Sequence, residues 1–132
     1  NNRYVFCLYF TQTKKLNKSY GKSKVEDRFC SYLRILFGAN DVERQYPANG
    51  WAIDFYIKSK NLYIQLDGVY WHGLNRPLEE IKQFKTKQDK KIYETYLRDQ
   101  EQNEWFSKTD LNLIRITDKQ FKKFEKSLGV IA

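Results

Sequence analysis

The chain has no methionine, one histidine and only two cysteines. It also has no apolar run near the roughly 18 residues that a membrane-crossing helix needs, so no membrane span is expected. Without a Cys-x-x-Cys pair or a cluster of cysteine and histidine, no structural zinc is expected. Cys7 and Cys30 stand in aromatic or apolar company and read as free thiols buried in a reducing, intracellular protein. The first residues, NNRYVFCLYF, lack a charged n-region followed by a long apolar h-region, so a signal peptide and secretion are not expected. The missing initiator methionine suggests an excised domain, with further domains outside this sequence.

What is present is basic charge and aromatic bulk. There are 24 Lys+Arg against 16 Asp+Glu, a net charge of +8, on a chain of 132 residues. That excess suggests a polyanionic partner; its bland alternative is a basic, solvated surface. Apolar residues make up 41% and aromatic residues 17%, which favours one folded domain with a modest core over disorder. No internal repeat is visible.

Residues 1–22 divide into an aromatic segment, strand or short helix, and a basic linker with Lys14, Lys15, Lys18 and Lys22. From Ser23 to Phe37, Val25, Phe29, Leu33 and Leu36 form one apolar helical stripe. Ser23 and Glu26 have the spacing of a capping box, and Gly38 is a helix stop. Asp41 to Tyr46 reads as a strand closed by Pro47 and a turn at Asn49-Gly50.

The central stretch is WAIDFYIKSKNLYIQLDGVYWHG, Trp51 to Gly73. Ile53, Phe55 and Ile57 alternate with Asp54 and Tyr56; Leu62, Ile64 and Leu66 alternate with Tyr63, Gln65 and Asp67. Ser59-Lys60-Asn61 between them makes an antiparallel hairpin. If the apolar sets share one face, Asp54, Gln65 and Asp67 share the other. Pro77 can open a helix. Residues 79–106 form one long helix or two shorter ones, with Ile81, Phe84, Ile92, Tyr96 and Trp105 as candidate buried positions. A strand over Asn112 to Ile116 follows. A last helix, capped by Thr117 or Asp118, carries Phe121, Phe124 and Leu128 on one face. The expected order is helix, three strands, helix, strand, helix.

An aspartate within a half-buried strand costs several kcal/mol unless it is paired or binds a cation. Asp54 and Asp67 therefore point to a cation site of oxygen donors, which suits Mg²⁺ better than Zn²⁺. The alternative is an open sheet face where both meet solvent. His72, just after the hairpin, has the chemistry of a general base or acid near neutrality; its alternative is a structural, hydrogen-bonded histidine. Glu26 has capping as its competing role, and Asp67 could simply cap the Gly68 turn.

Asp54-Phe55 in one strand, then a second strand running into Asp67-Gly68-Val69-Tyr70-Trp71-His72, resembles the PD-(D/E)xK nuclease superfamily. More narrowly it resembles the very-short-patch repair (Vsr) endonucleases and the phage-borne homing endonucleases of the EDxHD group. The resemblance spans Ser23 to Ile116. It implies an α/β PD-(D/E)xK, Vsr-like core over residues 23–132, with a mixed central sheet of about four strands flanked by helices. It implies a metal-dependent DNA endonuclease, a phosphodiester hydrolase, as the catalytic domain of a homing endonuclease. Glu26, Asp54, His72 and Asp99 would be the catalytic residues, with Asp89 as the other option for the second aspartate. Asp54 and the Leu66 carbonyl would hold Mg²⁺, with Mn²⁺ as a substitute and Asp67 as a weak third ligand. The lysine of the usual triplet is missing from Gln65-Leu66-Asp67, which fits a histidine-based mechanism. Double-stranded DNA is the implied partner, with Tyr70 and Trp71 as wedges between bases, and Lys82, Lys85, Lys87, Lys90 and Lys91, with Lys119, Lys122, Lys123 and Lys126 of the last helix, as the lysines for its phosphates. Packing beneath the sheet is the alternative for both aromatics, and more so for Trp71. A homodimer or added DNA-binding domains would supply recognition, in the cytoplasm or nucleoid of a host cell. The alternative function is a non-catalytic DNA-binding module on the same fold.

Overall fold

The computed structural model describes residues 24–129. The N-terminal aromatic segment, the basic linker, Cys7 and the Ser23 cap lie outside the described residues. Helix α1 spans Lys24–Phe37. Its buried row runs at i, i+4 spacing through Phe29 and Leu33 to the half-buried Phe37. Such a row drifts around the helix, so the expected Leu36 faces solvent instead. Cys30 is buried beside Phe29 and Leu33. Gly38 ends the helix: its φ of 101° is a left-handed conformation, and its N–H donates to the Arg34 carbonyl at 2.8 Å.

Strand β1, Val42–Ala48, runs on through Pro47, which was expected to close it. Among the described residues β1 pairs only with β2, and an edge strand can hold a proline that donates nothing to the ladder. The Asn49-Gly50 turn leads into β2, Trp51–Ile57. A turn of 3-10 helix over Lys58–Lys60 and a left-handed Asn61 lead into β3, Leu62–Asp67. These three strands are antiparallel neighbours. A short α2, Leu78–Ile81, and a long α3, Lys87–Ser107, then cross over to β4, Asn112–Thr117. Strand β4 lies parallel to β3, from Leu62 opposite Asn112 to Asp67 opposite Thr117. Helix α4, Asp118–Ser127, follows directly, with Thr117 and Gln120 closing a capping box.

The result is a mixed α/β fold, a four-stranded sheet in the order β1-β2-β3-β4 with helices on both faces. On one face α1 and α4 pack Phe29, Leu33 and Phe121 against Phe55, Ile57 and Ile64. On the other, Phe106 and Trp105 of α3 meet Ile53, Tyr63 and Trp51. No helix among the described residues is long and apolar enough to cross a membrane.

The two cores correct one expectation. Ile53, Phe55 and Ile57 do not share a face: Ile53 joins the α3 side, while Phe55 and Ile57 join the α1/α4 side. Gln45, opposite the break, has a left-handed φ of 50°, and the ladder leaves Gln45 and Asp54 unpaired. The alternation changes hand at Asp54. Phe84 also departs from expectation, since it is exposed. It sits with a φ of 53° in the break between α2 and α3.

Candidate active site

The change of face at Asp54 opens the sheet. Pairing between β2 and β3 covers only Phe55 to Ile57 against Ile64 to Leu62. Beyond it, side chains replace the ladder. The Asp54 N–H donates to Gln65 Oε1 at 3.0 Å, and the Leu66 N–H donates to Asp54 Oδ2 at 2.8 Å. A strand residue's N–H and C=O point to the same edge, so the Leu66 carbonyl faces the same opening. Gln45 Nε2 stands 3.4 Å from both Asp54 Oδ1 and Glu26 Oε1, long contacts from one amide to two carboxylates. Glu26 also meets Arg44 Nη2 at 3.2 Å. Burial raises the Asp54 pKa above the usual carboxylate value, and the charge of Glu26 adds to the rise. The Leu66 and Gln45 hydrogen bonds oppose it only in part.

His72 comes from a tight loop after β3. The His72 N–H donates to the Gly68 carbonyl at 3.0 Å, and the Leu74 N–H to the Val69 carbonyl at 2.9 Å. Gly73 has a φ of 69°, and a Cβ there would lie 3.1 Å from both Ile81 and Ile92. The loop is thus seated tightly on α2 and α3. It presents the imidazole to Asp99 of α3, with Nδ1 at 2.5 Å from Oδ2. A carboxylate only accepts, so Nδ1 carries the proton and Nε2 is left for chemistry. Burial disfavours the charged imidazole, but the Asp99 hydrogen bond and the charges of Asp67 and Asp99 outweigh it, and the His72 pKa is raised.

Behind this pair stands Arg115 of β4. Its Nη1 donates to Asp67 at 3.0 and 3.2 Å, and its Nη2 donates to Gln102 Oε1 at 2.7 Å. Gln102 also accepts from Gln65 Nε2 at 3.3 Å. One polar chain therefore runs from Asp54 through Gln65, Gln102 and Arg115 to the carboxylates around His72. Asp99 Oδ1 is buried with no hydrogen-bond partner among the described residues; Arg115 Nη1 lies 3.5 Å from it.

Glu26, Asp54, Leu66 and His72 line one cleft of about 330 Å³, shared with Arg98 and Gln102. Asp99 supports His72 from α3. Asp89 is elsewhere: it binds Arg76 at 2.5 Å and its N–H is capped by Thr86, about 15 Å along α3 from Asp99. Asp67 does not cap the Gly68 turn: its carboxylate is held by Arg115, and Asp118 Oδ1 accepts the Val69 N–H of the turn at 3.1 Å. Trp71 and Tyr70 are 51% and 45% exposed, so neither packs beneath the sheet as the alternative held. Lys82, Lys90 and Lys91 are exposed, and among the described residues no lysine lines the cleft.

Asp67, His72 and Asp99 offer ligand atoms within 4.8 Å of one another. That cluster is poorly suited to a metal, because Arg115 already supplies the cation and Nδ1 is committed to Asp99. The opening at Asp54 fits better. Its donors are hard oxygens from Asp54 and the Leu66 carbonyl, with Glu26, already paired with Arg44, beside them, and burial is the main cause of the raised Asp54 pKa.

Sequence reasoning missed Gln45, Gln102 and Arg115. Arg115 carried a signal: a charge inside the apolar run Leu113-Ile114-Arg115-Ile116 poses the same problem as Asp54. Gln102 carried none, because it stands in the polar run Arg98 to Glu104.

Comparison with family models, curated proteins and solved structures finds no match for this chain.

Proposed function

We propose that this chain is the catalytic domain of a metal-dependent DNA endonuclease. Its fold would be a PD-(D/E)xK core of the Vsr-like EDxHD type, as in homing endonucleases. One observation carries the reading: Glu26, Asp54 and His72, far apart in sequence, line one cleft, with Asp99 bonded to the far side of the imidazole.

Mg²⁺ held by Asp54, the Leu66 carbonyl and Glu26 would stabilise negative charge on a scissile phosphate. The chain's own groups do the rest. Asp99 fixes the tautomer with Nδ1 protonated, so His72 Nε2 takes a proton from the attacking water. The water oxygen bonds to phosphorus, the bond to the leaving oxygen breaks, and that oxygen is protonated from solvent. Arg98, at the cleft wall, can bind a phosphate oxygen. Arg115 pairs with Asp67 and Asp99 behind the imidazole and does not line the cleft among the described residues.

The test is nicking of supercoiled plasmid in Mg²⁺. Wild-type protein should nick, and Asp54→Ala and His72→Ala should each lose the activity. Nicking that survives both substitutions sinks the mechanism. A second reading, a non-catalytic DNA-binding module, is favoured by Gln65. It stands in the triplet that usually supplies lysine, and both ends of its amide are consumed internally, by the Asp54 N–H and by Gln102. DNA binding with a steep salt dependence and no nicking would select that reading.

A further inference from the structure

Helix α4 carries Lys119, Lys122, Lys123 and Lys126. Their spacing of three, one and three residues places all four on one helical stripe. The opposite side is the core side, where Phe121 and Glu125 are buried and Phe124 packs against the cluster. The four lysines are exposed, and none has a carboxylate in ion-pair range among the described residues.

The nearby acids are occupied. Glu125 is bound to Arg28 at 2.8 and 3.0 Å, and Asp118 accepts the Val69 N–H. The lysines line a groove of about 790 Å³ with no acidic residue in its wall among the described residues. Its far wall is Val69, Leu74 and Asn75. That is the loop that delivers His72 to the cleft, so one loop separates the two cavities.

We propose that this groove seats the phosphodiester backbone of duplex DNA flanking the bond presented to the cleft. The lysine stripe rises about 10 Å along α4, the length of roughly three nucleotides of one strand. A polyanion of regular spacing fits such a stripe. A lipid surface fits less well, because a membrane-surface helix must offer an apolar face and that face of α4 is spent on the core. The half-exposed Tyr70 and Trp71 stand on the intervening loop, between groove and cleft. The inference rests on DNA being the substrate, but it concerns binding and can be read without cleavage.

The test uses the full chain, a fluorescent duplex and EDTA, with affinity measured over a range of salt. Two charge-matched triple variants are compared. Lys122→Gln/Lys123→Gln/Lys126→Gln removes the stripe. Lys58→Gln/Lys60→Gln/Lys108→Gln removes equal charge beside the opposite end of β3 and β4. Each lost phosphate contact should lower the salt slope by about 0.9, so the α4 variant should lose roughly two to three units and bind at least tenfold more weakly at low salt. The control should keep the wild-type slope to within about one unit. Equal losses in both variants, or an unchanged slope in the α4 variant, overturn the groove. Capture of phosphatidylserine vesicles through the same lysines, with no binding to duplex, overturns it too. Plasmid nicking, run in parallel, separates the two ideas. Wild-type nicking with an intact α4-variant slope removes the groove alone. Groove-dependent binding without wild-type nicking removes the nuclease alone.

Discussion

His72 Nδ1 and Asp99 Oδ2 lie 2.5 Å apart, joining the loop after β3 to the middle of α3. The pair sets a titration with a definite sign. The folded-state pKa of His72 is raised above its ordinary 6.5, so the native state holds the proton more tightly than the unfolded chain does. The resulting stabilisation is fully present below about pH 6.5 and is lost as pH rises through the folded value. The chain has one histidine, so its imidazole resonances in proton NMR need no assignment. They should titrate above 6.5 in the wild type and lower in Asp99→Asn. An equal or higher value in the variant would remove Asp99 as the cause.

Asp54 predicts a trade of stability for binding. Its raised pKa means that the folded state disfavours the ionised carboxylate. The stability contribution is therefore present at low pH and lost as pH rises from the ordinary carboxylate value through the folded one. Asp54→Asn keeps an acceptor for the Leu66 N–H and removes the charge. Without divalent cation it should melt a few degrees higher than wild type at neutral pH. Added Mg²⁺ or Mn²⁺ should raise the wild-type melting temperature by mass action and leave the variant unmoved. A variant that responds to the cation like wild type would place the metal elsewhere.

Arg115→Ala should be among the most damaging substitutions in the chain. It leaves the Asp67 carboxylate, 6% exposed, without its cation. Losing one partner of such a pair costs about 3–5 kcal/mol, readable as a shift in the urea midpoint. Arg115→Lys restores the charge but not the fork that serves Asp67 and Gln102 together, so it should recover only part.

The Arg28–Glu125 pair ties α1 to α4, with the Glu125 side chain 0% exposed. Glu125→Ala should cost about 3–5 kcal/mol by stranding the guanidinium. Replacing both with apolar groups, as Arg28→Met/Glu125→Leu, should lie much closer to wild type. A double variant as unstable as the single would show that the pair does more than satisfy itself.

Gly73→Ala would force a side chain into a φ of 69° and against two isoleucines at 3.1 Å. Strain and overpacking together predict a loss of about 1–3 kcal/mol. Nicking should fall more than stability alone explains, because the neighbouring residue is His72. Comparing activity at a temperature where both proteins are fully folded separates the two effects.

The order of elements was legible because periodicity and turn residues carry it. Gly38, the Asn49-Gly50 turn and the Thr117 cap each do in space what their chemistry implies. What escaped the sequence depends on partners it does not name. Pro47 stays in its strand because β1 is an edge, which only the sheet order reveals. Ile53 changes face because Gln45, across the hairpin, adopts a left-handed backbone that no residue type demanded. Asp54 and His72 were separable from their backgrounds as polar groups in awkward places, whereas Glu26 stood out only through the family resemblance. The Gln65–Gln102–Arg115 chain around the site depends on β4 lying parallel to β3, and Gln102 in the polar run Arg98 to Glu104 gives no warning of burial.

The crossover between β3 and β4 also fixes when the cleft can exist. The three antiparallel strands join through short turns, so Asp54, Gln65 and Leu66 meet through contacts local in sequence, and such contacts form early. Asp99 must wait for α3 to fold back, and Arg115 arrives only with β4. A nascent or truncated chain ending before β4 lacks Arg115, the cation that stands behind Asp67 and Asp99. Topology therefore completes the polar chain around His72 last, when β4 brings Arg115 to Asp67 and Gln102.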